Sequence, residues 1–139
     1  MDFLTPERRS RLMSNVRQKG TDVELLVARE LRLRGYRFRR NVRTLAGSPD
    51  LVFAQHKLAV FIDGDFWHGF RYPCWQNKIT QFWKDKIEAN RRRDQRNFRR
   101  LRRSGWCVVR VWQHEIKTDV VKCLRRITVK LEPPNRRRI

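Results

Sequence analysis

Acidic residues, a histidine and two large aromatics gather in the middle of this 139-residue chain. Asp50 follows Ser48-Pro49 and opens the apolar run Leu51-Val52-Phe53. A second run, Ala59 to Ile62, ends in Asp63-Gly64-Asp65, and Phe66, Trp67 and His68 come directly after it. Carboxylates crowded at one sheet edge repel one another unless a cation neutralises them. Clustered hard oxygens suit Mg²⁺. A nearby histidine is the group whose unperturbed pKa suits proton transfer near neutrality. In a chain this basic, the fitting substrate for bound Mg²⁺ is a phosphodiester.

The elements that position these groups are legible from the pattern. Both apolar runs read as strands. Gln55, His56 and Lys57 leave a connection short enough for a hairpin, which predicts Asp50 close to Asp63. In a regular strand Asp63 and Asp65 share one side and Ile62 takes the other, with the Ile62 carbonyl still able to face a metal held by Asp50. Thr21-Asp22-Val23-Glu24 is a capping box that opens a helix to Arg34, with Gly35 as its stop. Val23, Leu26, Val27, Glu30 and Leu31 form its predicted apolar face. Tyr36-Arg37-Phe38 alternates like a strand. A long helix spans Thr80 to about Arg103, and its inward seam includes Asn90 and Asp94. Cys107 to Trp112 reads as a strand, and a last helix begins near Thr118-Asp119. The fold class is therefore α/β, a small mixed central sheet flanked by helices.

Composition narrows the partner. Lys and Arg number 34 against 14 acids, a formal net charge of +20. Such self-repulsion disfavours compaction unless a polyanion shares the field, and arginine forks suit phosphate. DNA or RNA is the expected partner. No apolar stretch is long enough for a membrane span, and no signal-peptide core is present. Three widely spaced cysteines argue for a reducing compartment, so a cytoplasmic location is expected, and the expected DNA partner would make it nucleoid-associated. One nuclease domain is expected over 1–134, with a basic DNA-contacting helix near Thr5–Arg17. Residues 135–139 form a basic tail expected to be disordered.

Each candidate has an ordinary alternative. Asp50 after a proline is a common turn residue, and Asp63-Gly64-Asp65 suits a solvated strand end. Phe66 and Trp67 suit a core as well as a wedge between bases. Glu24 is sufficiently explained as the closing residue of its capping box, and Asp94 as an ion-pair partner of nearby arginines.

Several motifs together resemble the very-short-patch repair (Vsr) endonucleases of the PD-(D/E)XK nuclease-like superfamily. They are Arg9-Ser10-Arg11-Leu12-Met13, Thr21-Asp22-Val23-Glu24, Ser48-Pro49-Asp50 and Phe61 to His68. Phe82-Trp83-Lys84-Asp85-Lys86-Ile87, Asn90, Arg93-Asp94, Gly105-Trp106 and Val111-Trp112 complete the set. The resemblance implies nicking of double-stranded DNA beside the T of a T·G mismatch, leaving a 5′-phosphate, by a monomer associated with a cytosine-5 methyltransferase system. It implies Asp50 as the central Mg²⁺ ligand, helped by the Ile62 carbonyl. His68 would be the general acid or base, Asp94 its orienting partner and Glu24 a support for the metal's waters. Met13, Phe66 and Trp67 would intercalate beside the mismatch.

Two departures stand out. Where the family's best-known form has a histidine before the glycine, this chain has Asp63, a second carboxylate available to Mg²⁺. The family's structural zinc is also in question, because Asp65 and Phe70 stand at expected ligand positions. Asp65, Cys74 and His114 are what remains as a vestigial set, a poor tetrahedral site that argues against structural Zn²⁺. The alternatives to a mismatch nickase are a same-fold nuclease for unmismatched or modified DNA, or a decayed mismatch-binding protein.

Overall fold

A computed structural model describes residues 22–66 and 68–131. The predicted helix near Thr5, Met13, the Thr21 cap, Trp67 and the 135–139 tail lie outside the described residues. Helix α1 runs Asp22–Leu33, followed by β1 (Arg39–Arg40), β2 (Leu51–Phe53) and β3 (Leu58–Asp63). Next come a single turn, α2 (Tyr72–Trp75), the long α3 (Gln81–Arg103) and β4 (Cys107–Trp112). Helices α4 (Gln113–Thr118) and α5 (Val120–Thr128) complete the order. The sheet order is β1-β2-β3-β4, the first two pairings antiparallel and β3–β4 parallel. This is a mixed sheet flanked by helices, as the pattern predicts.

Period-two alternation decides what each face of the sheet carries. Leu58, Val60 and Ile62 of β3, with Val109 and Val111 of β4, pack into one core cluster with α1 and α5. Ala59 and Phe61 pack on the other face with Phe98 and Leu101 of α3. The Phe61 and Phe98 rings meet edge to face at 4.8 Å, a geometry worth about 1 kcal/mol beyond burial. All six residues of β3 are buried, as expected for a central strand covered on both faces. The same alternation puts Asp63 and Arg110 on the α3 face, where Asp94 also lies.

Three local expectations change. The strand expected at Tyr36–Phe38 forms instead at Arg39–Arg40, opposite Val52 and Leu51. Tyr36 and Phe38 pack against the core without a ladder. The buried face of α1 is rotated from the expected one. It carries Glu24 and Ala28 with Val23, Val27 and Leu31, while Leu26 is only partly buried. Glu24 is thereby turned into the protein rather than serving only a helix end. The hairpin connection is a 3₁₀ turn at Ala54–His56, closed by Lys57 in the left-handed region.

Two devices hold the ends of the site. Gly47 has φ +80°, and a Cβ there would lie 3.0 Å from the Phe61 ring and 3.2 Å from Asn97 Cβ. Glycine lets the loop before Asp50 lie flat against α3 and β3. Tyr72 of α2 donates its hydroxyl to Glu88 Oε2 of α3 at 2.8 Å. Burial and that acid push its phenol up to about 12. Among the described residues no helix is long and apolar enough to cross a membrane.

Candidate active site

Asp50, the residue before β2, is 2% exposed. Its amide donates to the Val60 carbonyl, which extends the β2–β3 ladder by one residue. Its Oδ2 accepts the Ile62 N–H at 2.6 Å, so the neighbouring strand fixes the carboxylate. A cavity of about 340 Å³ opens here, lined by Glu24, Ser48, Asp50, Asp63, His68 and Asp94, among others. The structure brings Glu24, Asp50, Asp63, His68 and Asp94, the five residues singled out in the sequence, to the border of one space.

The hairpin does not make Asp50 and Asp63 an interchangeable pair. Asp63 Oδ2 accepts from Arg110 Nε at 2.8 Å, and its Oδ1 lies 3.4 Å from His68 Nε2. Arg110 Nη2 also donates to Asp94 Oδ2 at 2.7 Å. The same Asp94 oxygen lies 2.7 Å from His68 Nδ1. Asp63, His68 and Asp94 each offer a ligand atom within 4.8 Å of the others, a spacing that suits a metal. The Arg110 guanidinium already supplies positive charge to both carboxylates of that trio, so the trio itself is an ion-paired network.

Asp94 shows the balance of forces. Burial pushes its carboxyl up, but the His68 hydrogen bond and the charges of His68, Arg110 and Arg93 outweigh that and hold it below the ordinary carboxylate value. Asp94 is thus an ionised acceptor near neutrality, able to orient the imidazole that it bonds.

The chemistry of the donor set fits a hard divalent cation on the other side of the cleft. Glu24 and Asp50 are carboxylates 5% and 2% exposed, both facing the same cavity. Burying two such acids together is costly without a cation, and oxygen donors match Mg²⁺.

Of the three residues weighed as a zinc set, Asp65, Cys74 and His114, only two come together. Asp65 Oδ1 lies 2.8 Å from His114 Nδ1, so that predicted pair does meet. Cys74 is exposed and forms no three-ligand group with them. Phe70 takes the space instead, its ring 4.4 Å from that of His114 and 5.0 Å from that of Trp112. Trp75 Nε1 donates to the Phe70 carbonyl at 2.8 Å, and its ring stacks on Phe66 at 5.2 Å. Phe66 also meets Trp83 edge to face. Aromatic packing and one Asp–His pair tie this segment down.

Beyond the cleft, α3 exposes a row of cations that includes Arg92, Arg96, Arg99 and Arg103. The residue missed from the sequence is Arg110. Its signal was a lone arginine within an otherwise apolar strand.

A mixed sheet flanked by helices, with buried acids and a histidine at one end of the central strands and a cationic helix beside them, defines a small α/β nuclease. The family model for the DNA mismatch endonuclease Vsr matches residues 1–74. The chain is 43% identical over 122 residues to the type II nicking enzyme V.HpaIIP of Haemophilus parainfluenzae, covering 84% of this chain and 85% of that one. With V.NmeDIP of Neisseria meningitidis serogroup C, also named a type II nicking enzyme, identity is 38% over 130 residues, covering 91% and 88%. With the DNA mismatch endonuclease Vsr of Escherichia coli (strain K12) it is 35% over 109 residues, covering 76% and 69%. The chain belongs to the Vsr endonuclease family.

Proposed function

We propose that this endonuclease nicks one strand of double-stranded DNA beside the T of a T·G mismatch, using Mg²⁺ and acting as a monomer. The T·G product of 5-methylcytosine deamination makes a cytosine-5 methyltransferase system its functional associate. His68 carries this reading: one ring nitrogen is bonded to Asp94 while the ring borders the Asp50 cavity. That is the arrangement of an oriented proton-transfer group beside a cation pocket.

Asp50 and the Ile62 carbonyl are the proposed metal ligands, with Glu24 as the neighbouring carboxylate. Bound there, Mg²⁺ would supply charge to stabilise the phosphoryl group as it is attacked. Asp94 fixes His68 with its Nδ1 side inward. His68 Nε2 then gives a proton to, or takes one from, the reacting oxygens. Asp63 is ion-paired to Arg110, so its proposed role lies with the histidine rather than with the metal. Arg93, half exposed at the cavity mouth, supplies charge to the DNA backbone.

Mismatch preference rests on the aromatics. Phe66, with Trp67 after it, emerges between Asp63 and His68 in sequence, and Met13 is its proposed companion. A mismatched step costs less to open, so a wedge there favours T·G over matched DNA. A nickase for unmismatched or modified DNA is the second reading, favoured by the relatives that are named nicking enzymes.

End-labelled duplexes carrying T·G, T·A or C·G at one site separate the two readings. The expected result is a single Mg²⁺-dependent cut beside the T of the T·G duplex alone. Equal cutting of matched duplexes overturns the mismatch assignment.

A further inference from the structure

His68, Asp94, Arg110 and Asp63 close into a ring of contacts. His68 Nδ1 meets Asp94 at 2.7 Å, Asp94 meets Arg110 at 2.7 Å, and Arg110 meets Asp63 at 2.8 Å. Asp63 returns to His68 Nε2 at 3.4 Å. We infer that Arg110 is a positioning residue for His68: its guanidinium fork holds the two carboxylates that flank the imidazole, keeping one bonded and the other withdrawn. This rests on the proposed proton-transfer role of His68 and deepens it.

Two carboxylates on either side of one imidazole compete for it. If both closed to hydrogen-bond distance, each ring nitrogen would be occupied and none would face the substrate. The observed distances are unequal. The Asp94 contact is a full hydrogen bond, whereas 3.4 Å to Asp63 lies beyond the ordinary range for N–H···O. Arg110 accounts for the difference. Nε holds Asp63 through Oδ2, and Nη2 shares the Asp94 oxygen that His68 uses. Asp94 therefore orients the ring while Nε2 stays available.

The fork is itself held. The guanidinium lies 4.2 Å from the Trp112 ring centroid and 5.0 Å from that of Phe98. Both are on the α3 face of the sheet or on α3, and the stacking fixes the plane of the fork. Arg126 of α5 donates to the Arg110 carbonyl from the open side of β4, pinning the backbone at the same residue. Lysine has one compact ammonium and no planar fork, so it cannot hold both carboxylates in this geometry.

The test compares wild type, Arg110→Lys, Arg110→Met, the double variant Asp63→Asn/Arg110→Met, and His68→Ala. Single-turnover nicking of the T·G duplex is measured beside duplex affinity in chelator. The neutral-form tautomer of His68 is read by ¹⁵N NMR of the ring. Arg110→Met is expected to lower the nicking rate by about 10²-fold, the scale of a misplaced reacting group, with affinity unchanged. Arg110→Lys, which keeps the charge and so the fold, is expected to lose about tenfold in rate, intermediate because its single ammonium reaches one carboxylate at a time. The double variant is expected to regain rate over Arg110→Met, because the competing carboxylate is gone. Wild type is expected to show the Nδ1–H tautomer, and Arg110→Lys a mixture. Wild-type nicking by Arg110→Lys with an unchanged tautomer overturns the inference. So does a double variant no faster than Arg110→Met. His68→Ala nicking at the wild-type rate removes the underlying reading instead, which separates the two failures.

Discussion

Asp50→Asn is expected to lower single-turnover nicking of the T·G duplex by on the order of 10³-fold, the scale seen when a group that stabilises developing charge is lost. The substitution keeps the shape of the side chain. Its amide oxygen can still accept the Ile62 N–H that now fixes Asp50 Oδ2 at 2.6 Å, so the β2–β3 junction should survive. What is lost is a negative charge 2% exposed in a cavity that Glu24 also lines. DNA affinity should hold or tighten, because the variant removes an anion from the path of a polyanion. Gel-shift titration in chelator checks the affinity, and product formation with Mg²⁺ checks the rate. A variant that binds weakly and cuts weakly in proportion would make Asp50 a folding residue.

His68→Ala and Asp94→Asn form the second pair. Removing the proton-transfer group is expected to cost between about 10² and 10⁴ in rate. Asp94→Asn should cost nearly as much although it leaves the imidazole in place. The carboxylate accepts from Nδ1, whereas an amide can donate to it and leave the ring proton on Nε2. Because the two residues act as one unit, the double variant should be little slower than either single one. Losses that multiply across the double variant would show independent roles.

The long-range parts of the fold were legible where periodicity is strong. The α3 seam placed Asn90 and Asp94 inward, and both are buried in the structure. Cys107–Trp112 is an almost wholly apolar run rich in valine and forms β4 over those same residues. Tyr36–Phe38 alternates, but pairing is set by the three-residue β2, which meets Arg39 and Arg40. Helices α2 and α4, four and six residues long, went unread because so short a helix is stabilised by packing rather than by its own pattern. Glu115 illustrates this: it accepts from the Trp112 N–H and from Arg126, a partner on another helix.

The site was legible as a list of acids and a histidine, not as a network. Asp50, Asp63, His68 and Asp94 were found by residue type and placement. The contacts among them were not, because they run through Arg110, which stands opposite Phe61 in the parallel register with β3. An arginine in a strand reads as solvent-facing; here a second carboxylate and two aromatic rings draw it inward. Asp63 accordingly has a guanidinium partner that its place in the sequence did not reveal. Asp65 leaves Asp63 and turns to His114, because the regular strand ends at Asp63 and a turn begins at Asp65.

On the proposed reading, the Asp50 cleft performs metal-dependent hydrolysis on one DNA strand. The most direct measurement follows both strands of a doubly end-labelled T·G duplex with the wild-type protein, first in chelator and then with added Mg²⁺. The expected result is intact strands in chelator and one cut, in the T-bearing strand only, once Mg²⁺ is present. Cutting that persists in chelator, or cleavage of both strands, would contradict it.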